Sequence, residues 1–466
     1  MSFWDFAKYS DRIAVITNNG IQYSYQEIYE LQNELSKWMI KGSLVCLLAG
    51  NDIGGLVGYL SCLMNENVPI MLSNRISDEN LNQIIEKYSP EYIWVSEEAW
   101  QRISEKCEDG FHEKKHFLGY ILLYKKNPNK LSMNKELALL LPTSGSTGNF
   151  KLVRISKENI CSNTAAICKY MKLNENDRAV AYLPFSYTFG LSVVNTHLYV
   201  GGSIFITHEK CVQKRFWDYI EKFDITFFAG VPYTYECMKK LCIDKFPLHS
   251  LRLMVQAGGR LSEQLQKFWG EYAGRTNKQF LIMYGQTEAT ARISYLPHTD
   301  CLKKLGSVGV PIPGCEILIV DEKKKNVDNP GQSGEIMCKG NNVSMGYAHN
   351  REELSLKDQN NGILYTGDLG FLDDEGYLYI VGRKNRFAKI FGVRVDLSHI
   401  EELAIKSFLE DVVVVSNDNK IFLYTNAVVT KEQFNTFITK FPFNGNVFVI
   451  KEMGELPRNE YGKVKY

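Results

Sequence analysis

The stretch TSGSTGNFK, residues 143–151, places four hydroxyl side chains (Thr143, Ser144, Ser146, Thr147), two glycines (Gly145, Gly148) and one cation (Lys151) in a single short segment. Glycine lets the main chain approach a ligand closely, and clustered N–H groups with an ammonium meet negative oxygens. That chemistry suits a polyphosphate. It is not the phosphate loop of nucleotide triphosphatases, because GxxxxGK[ST] does not occur in the chain. Taken alone, such a Gly/Ser/Thr cluster is equally a flexible polar loop.

Six further segments share this texture. YGQTEAT (284–290) follows an apolar run and sets Thr287 and Glu288 at its end. GEIMCKGNNVSMGY (334–347) reads as a glycine-bounded strand pair. YTGDLG (365–370) reads as a tight turn with one carboxylate, Asp368. GRKNRFAKIFGVRVD (382–396) carries Arg383 and Arg394, and LPFSYTFGLS (183–192) reads as an aromatic, glycine-flanked strand end. LPRNEYGKVKY (456–466) holds Lys463. Singly, Glu288 and Asp368 are more often surface carboxylates or helix caps, and Lys463 a solvated tail residue.

The elements that must position these residues follow a strand–helix rhythm. RIAVITNNGIQYSYQEIYELQNELSKWM predicts a strand, a turn at Asn19–Gly20, a second strand and an amphipathic helix with Ile28, Leu31 and Leu35 on one face. LVCLLAG (44–50), GGLVGYLSCLMNEN (54–67) and VPIML (68–72) read as strand, helix, strand. AVAYLP (179–184), ITFFAGVP (225–232), LRLMVQAGG (251–259) and FLIMYG (280–285) add four more strands, which implies βαβ units and a parallel sheet. Ligands of such sheets gather at the carboxyl ends of strands, so the loops at 184–190, 257–261 and 285–290 are candidate site walls. After residue 305 short strands with turn signals imply an antiparallel β subdomain, and from residue 385 a small α+β domain follows the basic segment GRKNR.

The chain has 466 residues and 45% hydrophobic content, enough for two or three domains with large cores. Lys plus Arg (54) nearly cancels Asp plus Glu (53), so no basic surplus points to nucleic acid or an anionic membrane. Eleven scattered cysteines without C-x-x-C pairs read as reduced thiols, not a disulfide framework or a metal site. The charged N-terminus is no signal peptide and no apolar run reaches membrane length, so the expectation is a soluble cytoplasmic protein.

In order, TSGSTGxxK, YGxTE, GE…GY, YTGD, GRxxxxxKxxGxR and LPRxxxGK resemble the motifs of the adenylate-forming family: acyl-CoA and aryl-CoA synthetases, peptide-synthetase adenylation domains and luciferases. The resemblance covers nearly the whole chain. It implies a large N-terminal domain of stacked α/β sheets with a small antiparallel β subdomain (1–384, the subdomain about 305–384), then a small mobile α+β domain (385–466). It implies attack of a carboxylate on the α-phosphate of ATP, then of a thiol on the acyl-AMP, with Mg²⁺ as cofactor and CoA or a carrier-protein phosphopantetheine as co-substrate. Ser144, Ser146, Thr147 and Lys151 would hold the β- and γ-phosphates within the 143–151 loop, Thr287 the α-phosphate and Glu288 the Mg²⁺. Asp368, with Arg383 nearby, would bind the ribose. Tyr284, next to Gly285, and the Gly258–Gly259 turn would enclose the adenine. Lys463 would meet the charge developing between carboxylate and α-phosphate. Asn385 would be the hinge, with Gly392 and Arg394 on the thiol tunnel.

Some positions depart from the family. Phe150 and Leu152 stand where proline and glycine are common, Asn385 where the hinge acid is usual, and Tyr187 where a histidine often gates the acyl group. Amino-acid activators hold the substrate ammonium with an aspartate in an FDxS motif, whereas 183–192 contains no acid. The expected substrate is therefore an aliphatic or aryl acid without an α-amine, met by Tyr187, Phe189, Val194, Val231, Ala289 and Thr290. A separate acyl carrier protein is one possible partner. Alternatives from other classes are an amino-acid-activating ligase, a luciferase-like oxygenase and a catalytically dead nucleotide-binding scaffold.

Overall fold

The computed structural model describes residues 6–456 apart from 104–109, 127–131, 143–150, 247, 385, 391–392, 409–411, 418–419, 427, 442–444 and 454–455. The chain separates into two compact units, residues 1–316 with 339–364, and residues 317–338 with 365–466.

In the first unit, Gln279–Tyr284, Leu253–Gln256, Phe227–Gly230, Arg178–Ala181, Ser203–Ile206 and Ile13–Ile16 run parallel, side by side. Gln22–Ser24 pairs antiparallel with Ile13–Ile16 through the expected turn, where Gly20 has φ 84° and donates to Thr17 O. A second sheet has Leu137–Pro142, Val68–Ser73, Leu44–Ala49 and Tyr92–Ser96 parallel at its centre. Leu152–Ser156 and Tyr347–Ala348 extend one edge antiparallel, and Tyr120–Lys125 with Phe111–Phe117 the other.

Side chains alternate along a strand, so a strand buried on both faces reads as one apolar run. Leu44–Ala49 shows this. Val45, Leu47 and Ala49 join the core shared with the first sheet and with the helix Ile53–Met64, while Leu44, Cys46 and Leu48 pack with Leu81, Ile84 and Tyr88 on the opposite face. The helix Tyr25–Ser36 buries Ile28 and Leu35 and starts from a capping box in which Ser24 and Glu27 bond reciprocally.

Three local expectations are corrected. GEIMCKGNNVSMGY is not a strand pair: Gly334–Gly340 lies between Cys315–Val320 and Ile363–Leu372, whereas Tyr347–Ala348 pairs with Leu152–Ser156. YTGDLG is not a tight turn. It lies inside the strand Ile363–Leu372: Gly367 takes a positive φ (72°) without reversing the chain, and the register with Leu378–Arg383 shifts between Leu369 and Gly370. LPFSYTFGLS does not stay extended, because a helix begins at Thr188 and runs to Tyr199. That helix is buried almost all round, so it offers no polar face for periodicity to reveal.

In the second unit, Ile363–Leu372 pairs antiparallel with Leu378–Arg383. Beyond them lie the two-stranded ribbon Phe387–Ile390 with Val393–Asp396, and a three-stranded sheet of Val412–Asn417, Lys420–Thr425 and Phe448–Glu452. The helices Leu397–Phe408 and Lys431–Ile438 share a core there through Ile400, Ala404, Phe408 and Phe437.

Arg351 and Glu91 form an ion pair within the first unit, their side chains only 4% and 9% exposed, and Glu91 also accepts from Leu44 N at 2.7 Å. Removing one partner of a buried pair leaves an uncompensated charge. Arg351→Met is expected to cost about 3–5 kcal/mol in denaturant unfolding. A loss under about 1 kcal/mol, the range of exposed pairs, would contradict that burial.

Candidate active site

The strand Gln279–Tyr284 ends where five of the expected residues, Gly285, Thr287, Glu288, Ala289 and Thr290, begin. Gly285 follows it, and a Cβ there would stand 1.9 Å from Ala291 O, so only glycine lets the chain fold back this tightly. The one-turn 3-10 helix Thr287–Ala289 comes next, and Thr290 (φ 57°) and Ala291 (φ 143°) both leave the common backbone regions.

Glu288 and Thr287 are thereby aimed in different directions. Tyr347 Oη donates to Glu288 Oε1 at 2.7 Å. Lys151 Nζ lies 3.6 Å from the centre of the same Tyr347 ring. One phenol thus joins a carboxylate to the cation that closes the glycine-rich loop. Burial first, and the Glu288 carboxylate after it, push the Tyr347 phenol above its ordinary pKa, so it stays a donor. Thr287 Oγ1 lies 3.0 Å from Thr188 Oγ1, at the start of the helix Thr188–Tyr199.

No group of three or more metal-ligating side chains occurs among the described residues. Glu288 forms no ion pair among them; with a cation bound there, it would supply one carboxylate, and substrate phosphates and water would supply the other ligands. That donor set fits Mg²⁺.

Gly258 has φ 85°, and a Cβ there would lie 2.9 Å from Tyr187 Oη and 3.2 Å from Val231 Cγ1. The turn expected to face adenine therefore packs on two residues expected to face the acyl group. Gln256, fully buried, braces it by donating from Nε2 to Gly259 O at 2.9 Å. Tyr284 is half-buried at the strand end, Phe189, Val194 and Val231 are core residues, and Ala289 is fully buried. In the second unit Asp368 is buried, and Arg383 Nε donates to its Oδ1 at 3.1 Å across the register pair they form. Arg394 lies in the ribbon strand Val393–Asp396 opposite Lys389. Thr143, Ser144, Gly145, Ser146, Thr147, Gly148, Asn385, Gly392 and Lys463 lie outside the described residues.

Sequence reasoning missed the residues that hold this arrangement together. Arg154, fully buried, donates to Tyr347 O, Leu356 O, Met345 O, Lys357 O and Gln359 Oε1 at 2.6–3.2 Å. Asn159 Nδ2 donates to Asn341 O and Val343 O, both at 2.8 Å. Thr290 Oγ1 donates to Asn342 O, and Asn342 Nδ2 to Arg292 O, each at 2.8 Å. The one available signal was a charge inside an apolar run, LVRIS (152–156).

Orienting partners of a metal-binding carboxylate typically contribute 10–100-fold in metal affinity. Tyr347→Phe is therefore expected to raise the Mg²⁺ concentration for half-maximal nucleotide binding by about 10-fold, measured by calorimetric titration of ATP at graded Mg²⁺. An unchanged Mg²⁺ dependence would separate Tyr347 from the function of Glu288.

Comparison with known proteins gives this geometry a family. The chain is 29% identical over 281 residues to probable 4-coumarate–CoA ligase 2 of Dictyostelium discoideum, a match covering 59% of this chain and half of that protein's length. It is 24% identical over 477 residues to 2-succinylbenzoate–CoA ligase of Oceanobacillus iheyensis, covering 97% of this chain and 95% of that protein. Its fold superposes on ATP-bound MatB from Rhodopseudomonas palustris with a TM-score of 0.80 at 22% identity, covering 100% of this chain and 97% of that one. The family model for AMP-binding enzymes matches residues 3–348, a span that takes in both parallel sheets and the Glu288–Tyr347–Lys151 cluster, and the chain belongs to that family.

Proposed function

We propose that this protein activates a carboxylic acid without an α-amine in two half-reactions. A carboxylate oxygen attacks the α-phosphorus of ATP and pyrophosphate leaves. A thiol then attacks the acyl carbonyl and AMP leaves. CoA is the proposed thiol, and the phosphopantetheine of a free-standing carrier protein is the other acceptor of the same chemistry. Such a reaction asks the protein to position groups and neutralise charge.

The observation that carries this reading is the Glu288–Tyr347–Lys151 cluster within the span matched by the family model. In it Lys151 and the 143–148 loop hold the outer phosphates, the Thr287 hydroxyl bonds the α-phosphate, and Glu288 supplies the carboxylate for Mg²⁺, which neutralises phosphate charge when bound. Tyr284 and Gly258–Gly259 flank the adenine. Asp368, fixed by Arg383, accepts from the ribose hydroxyls. Lys463 meets the transition-state charge. Rotation about Asn385 then exchanges it for the segment carrying Gly392 and Arg394. The relatives named as CoA ligases support an acid substrate and a CoA acceptor. An ammonium-bearing substrate is disfavoured, because 183–192 offers no carboxylate to pair with it.

The test is ATP–pyrophosphate exchange across a panel of acids and amino acids with the intact protein. Exchange is expected with acids lacking the α-amine. It is expected to fall about 10²–10³-fold in Lys463→Ala while ATP binding persists. Fastest exchange with an amino acid, or none with any acid, would overturn the reading.

A further inference from the structure

The strand Leu44–Ala49 of the second sheet runs into residues 50–52, ahead of the helix Ile53–Met64. This short segment is pinned on both sides of Asn51. Gly50 N donates to Tyr120 Oη at 2.9 Å, and the same hydroxyl donates to Asp52 Oδ2 at 3.0 Å. Asp52 Oδ1 caps the helix by accepting from Gly55 N at 2.7 Å. The half-buried Asn51 thus stands on a fixed backbone, and its side chain reaches across to the first sheet. Its Nδ2 donates to Leu183 O at 2.8 Å and to Ala181 O at 3.3 Å, and its Oδ1 accepts from Phe185 N at 3.1 Å. Two carbonyls face the amide nitrogen and one N–H faces the amide oxygen, so only one orientation of the amide keeps all three bonds.

What Asn51 holds is the connection between the strand Arg178–Ala181 and the helix Thr188–Tyr199. Within it Tyr187 N donates to Pro184 O at 3.0 Å. A Cβ on Gly190 would stand 2.6 Å from Leu183 O and 2.3 Å from Pro184 O. The connection and the first turn of the helix are therefore packed without slack, and a shift in one is passed to the other. They carry Tyr187 and Phe189, both expected at the acyl group. Lys151, Thr287 and Glu288, read as nucleotide-binding, stand on other segments, joined to this one by the contact between Thr188 Oγ1 and Thr287 Oγ1.

We propose that Asn51 is a positioning residue for the acyl pocket: its amide, anchored in the second sheet, sets where the wall bearing Tyr187 and Phe189 stands and so how the acid is presented to ATP. The proposal rests on the acid-activating reading and deepens it. Pyrophosphate exchange by the intact protein is measured with a panel of aliphatic and aryl acids, acetate to decanoate and benzoate. The fastest acid and ATP are then each titrated with the wild type, Asn51→Ala, Asn51→Asp and Tyr120→Phe, with thermal melting of each. Tyr120→Phe loosens residues 50–52 while the Asn51 amide remains, and so controls for loss of structure alone. Asn51→Ser, which keeps a short donor, takes the place of Asn51→Ala if that variant does not fold.

Asn51→Ala is expected to lower kcat/KM for the acid about 10–100-fold, chiefly through KM, the scale that a small misplacement of a reactant brings. KM for ATP should stay unchanged. Asn51→Asp keeps the shape but sets a carboxylate oxygen against two carbonyls, so its loss should at least equal that of Asn51→Ala. Tyr120→Phe should lower the melting temperature and leave KM for the acid as it is. Asn51 variants that melt earlier with an unaltered KM for the acid overturn the proposal. A rise in KM for ATP matching that for the acid moves the effect to the Thr188–Thr287 contact and also overturns it, as does Tyr120→Phe raising KM for the acid as far as Asn51→Ala. Exchange by the wild type with none of the acids would refute acid activation itself, a failure distinct from unaltered kinetics in the Asn51 variants.

Discussion

The hydrogen bonds of Arg154 are the constraint on which the active region depends. A guanidinium buried in the strand Leu152–Ser156 is tolerable only if its donors are met, and five acceptors between Met345 and Gln359 meet them. The strand Tyr347–Ala348 is thereby held beside the strand that directly follows the glycine-rich loop. Lys151 precedes that strand and Tyr347 lies on its neighbour, so the cation and the ring meet. Glu288 reaches the same ring from the other sheet. Three segments far apart in sequence thus meet at one ring, and the buried Arg154 guanidinium ties two of them together.

The 341–347 segment completes this arrangement from its other side. Its carbonyls accept from Asn159 and Thr290, and Ser344 N donates to Glu288 O at 2.9 Å. The helix after the glycine-rich loop and the turn after YGQTE are therefore joined through a common strip of main chain. Such a network is costly to disturb in part, since each lost partner leaves another group buried and unmet. This gives a physical reason for the glycine and asparagine content of GNNVSMGY: side chains there are subordinate to the hydrogen bonds its backbone must make.

Much of the fold was legible in the sequence. Strands such as 44–49 and 253–256 read clearly because burial on both faces makes them continuous apolar runs, and Asn19–Gly20 because its turn needs positive φ. The helix Thr188–Tyr199 was not, since burial on all sides removes the period that marks a helix. The strand holding Asp368 read as a turn because glycine signals a turn and a bulge alike. At the site, motif order singled out Glu288, Thr287 and Lys151 as candidates. The pairings Glu288–Tyr347, Thr287–Thr188 and Arg292–Ser192 lie 59, 99 and 100 residues apart along the chain, beyond any local pattern. Their traces in the sequence were the closing Tyr347 of the GE…GY motif and charged residues within apolar stretches, Arg154 in LVRIS and Arg292 in ARISYL.

The central claim is that a carboxylate oxygen of the substrate becomes bonded to the α-phosphorus of ATP. Acid labelled with ¹⁸O in both carboxylate oxygens, incubated with ATP, Mg²⁺ and CoA, tests this directly by mass spectrometry of the products. The account predicts AMP carrying one ¹⁸O per turnover and a thioester retaining the other. Unlabelled AMP alongside labelled thioester, or ¹⁸O appearing in inorganic phosphate with ADP as the nucleotide product, would contradict it.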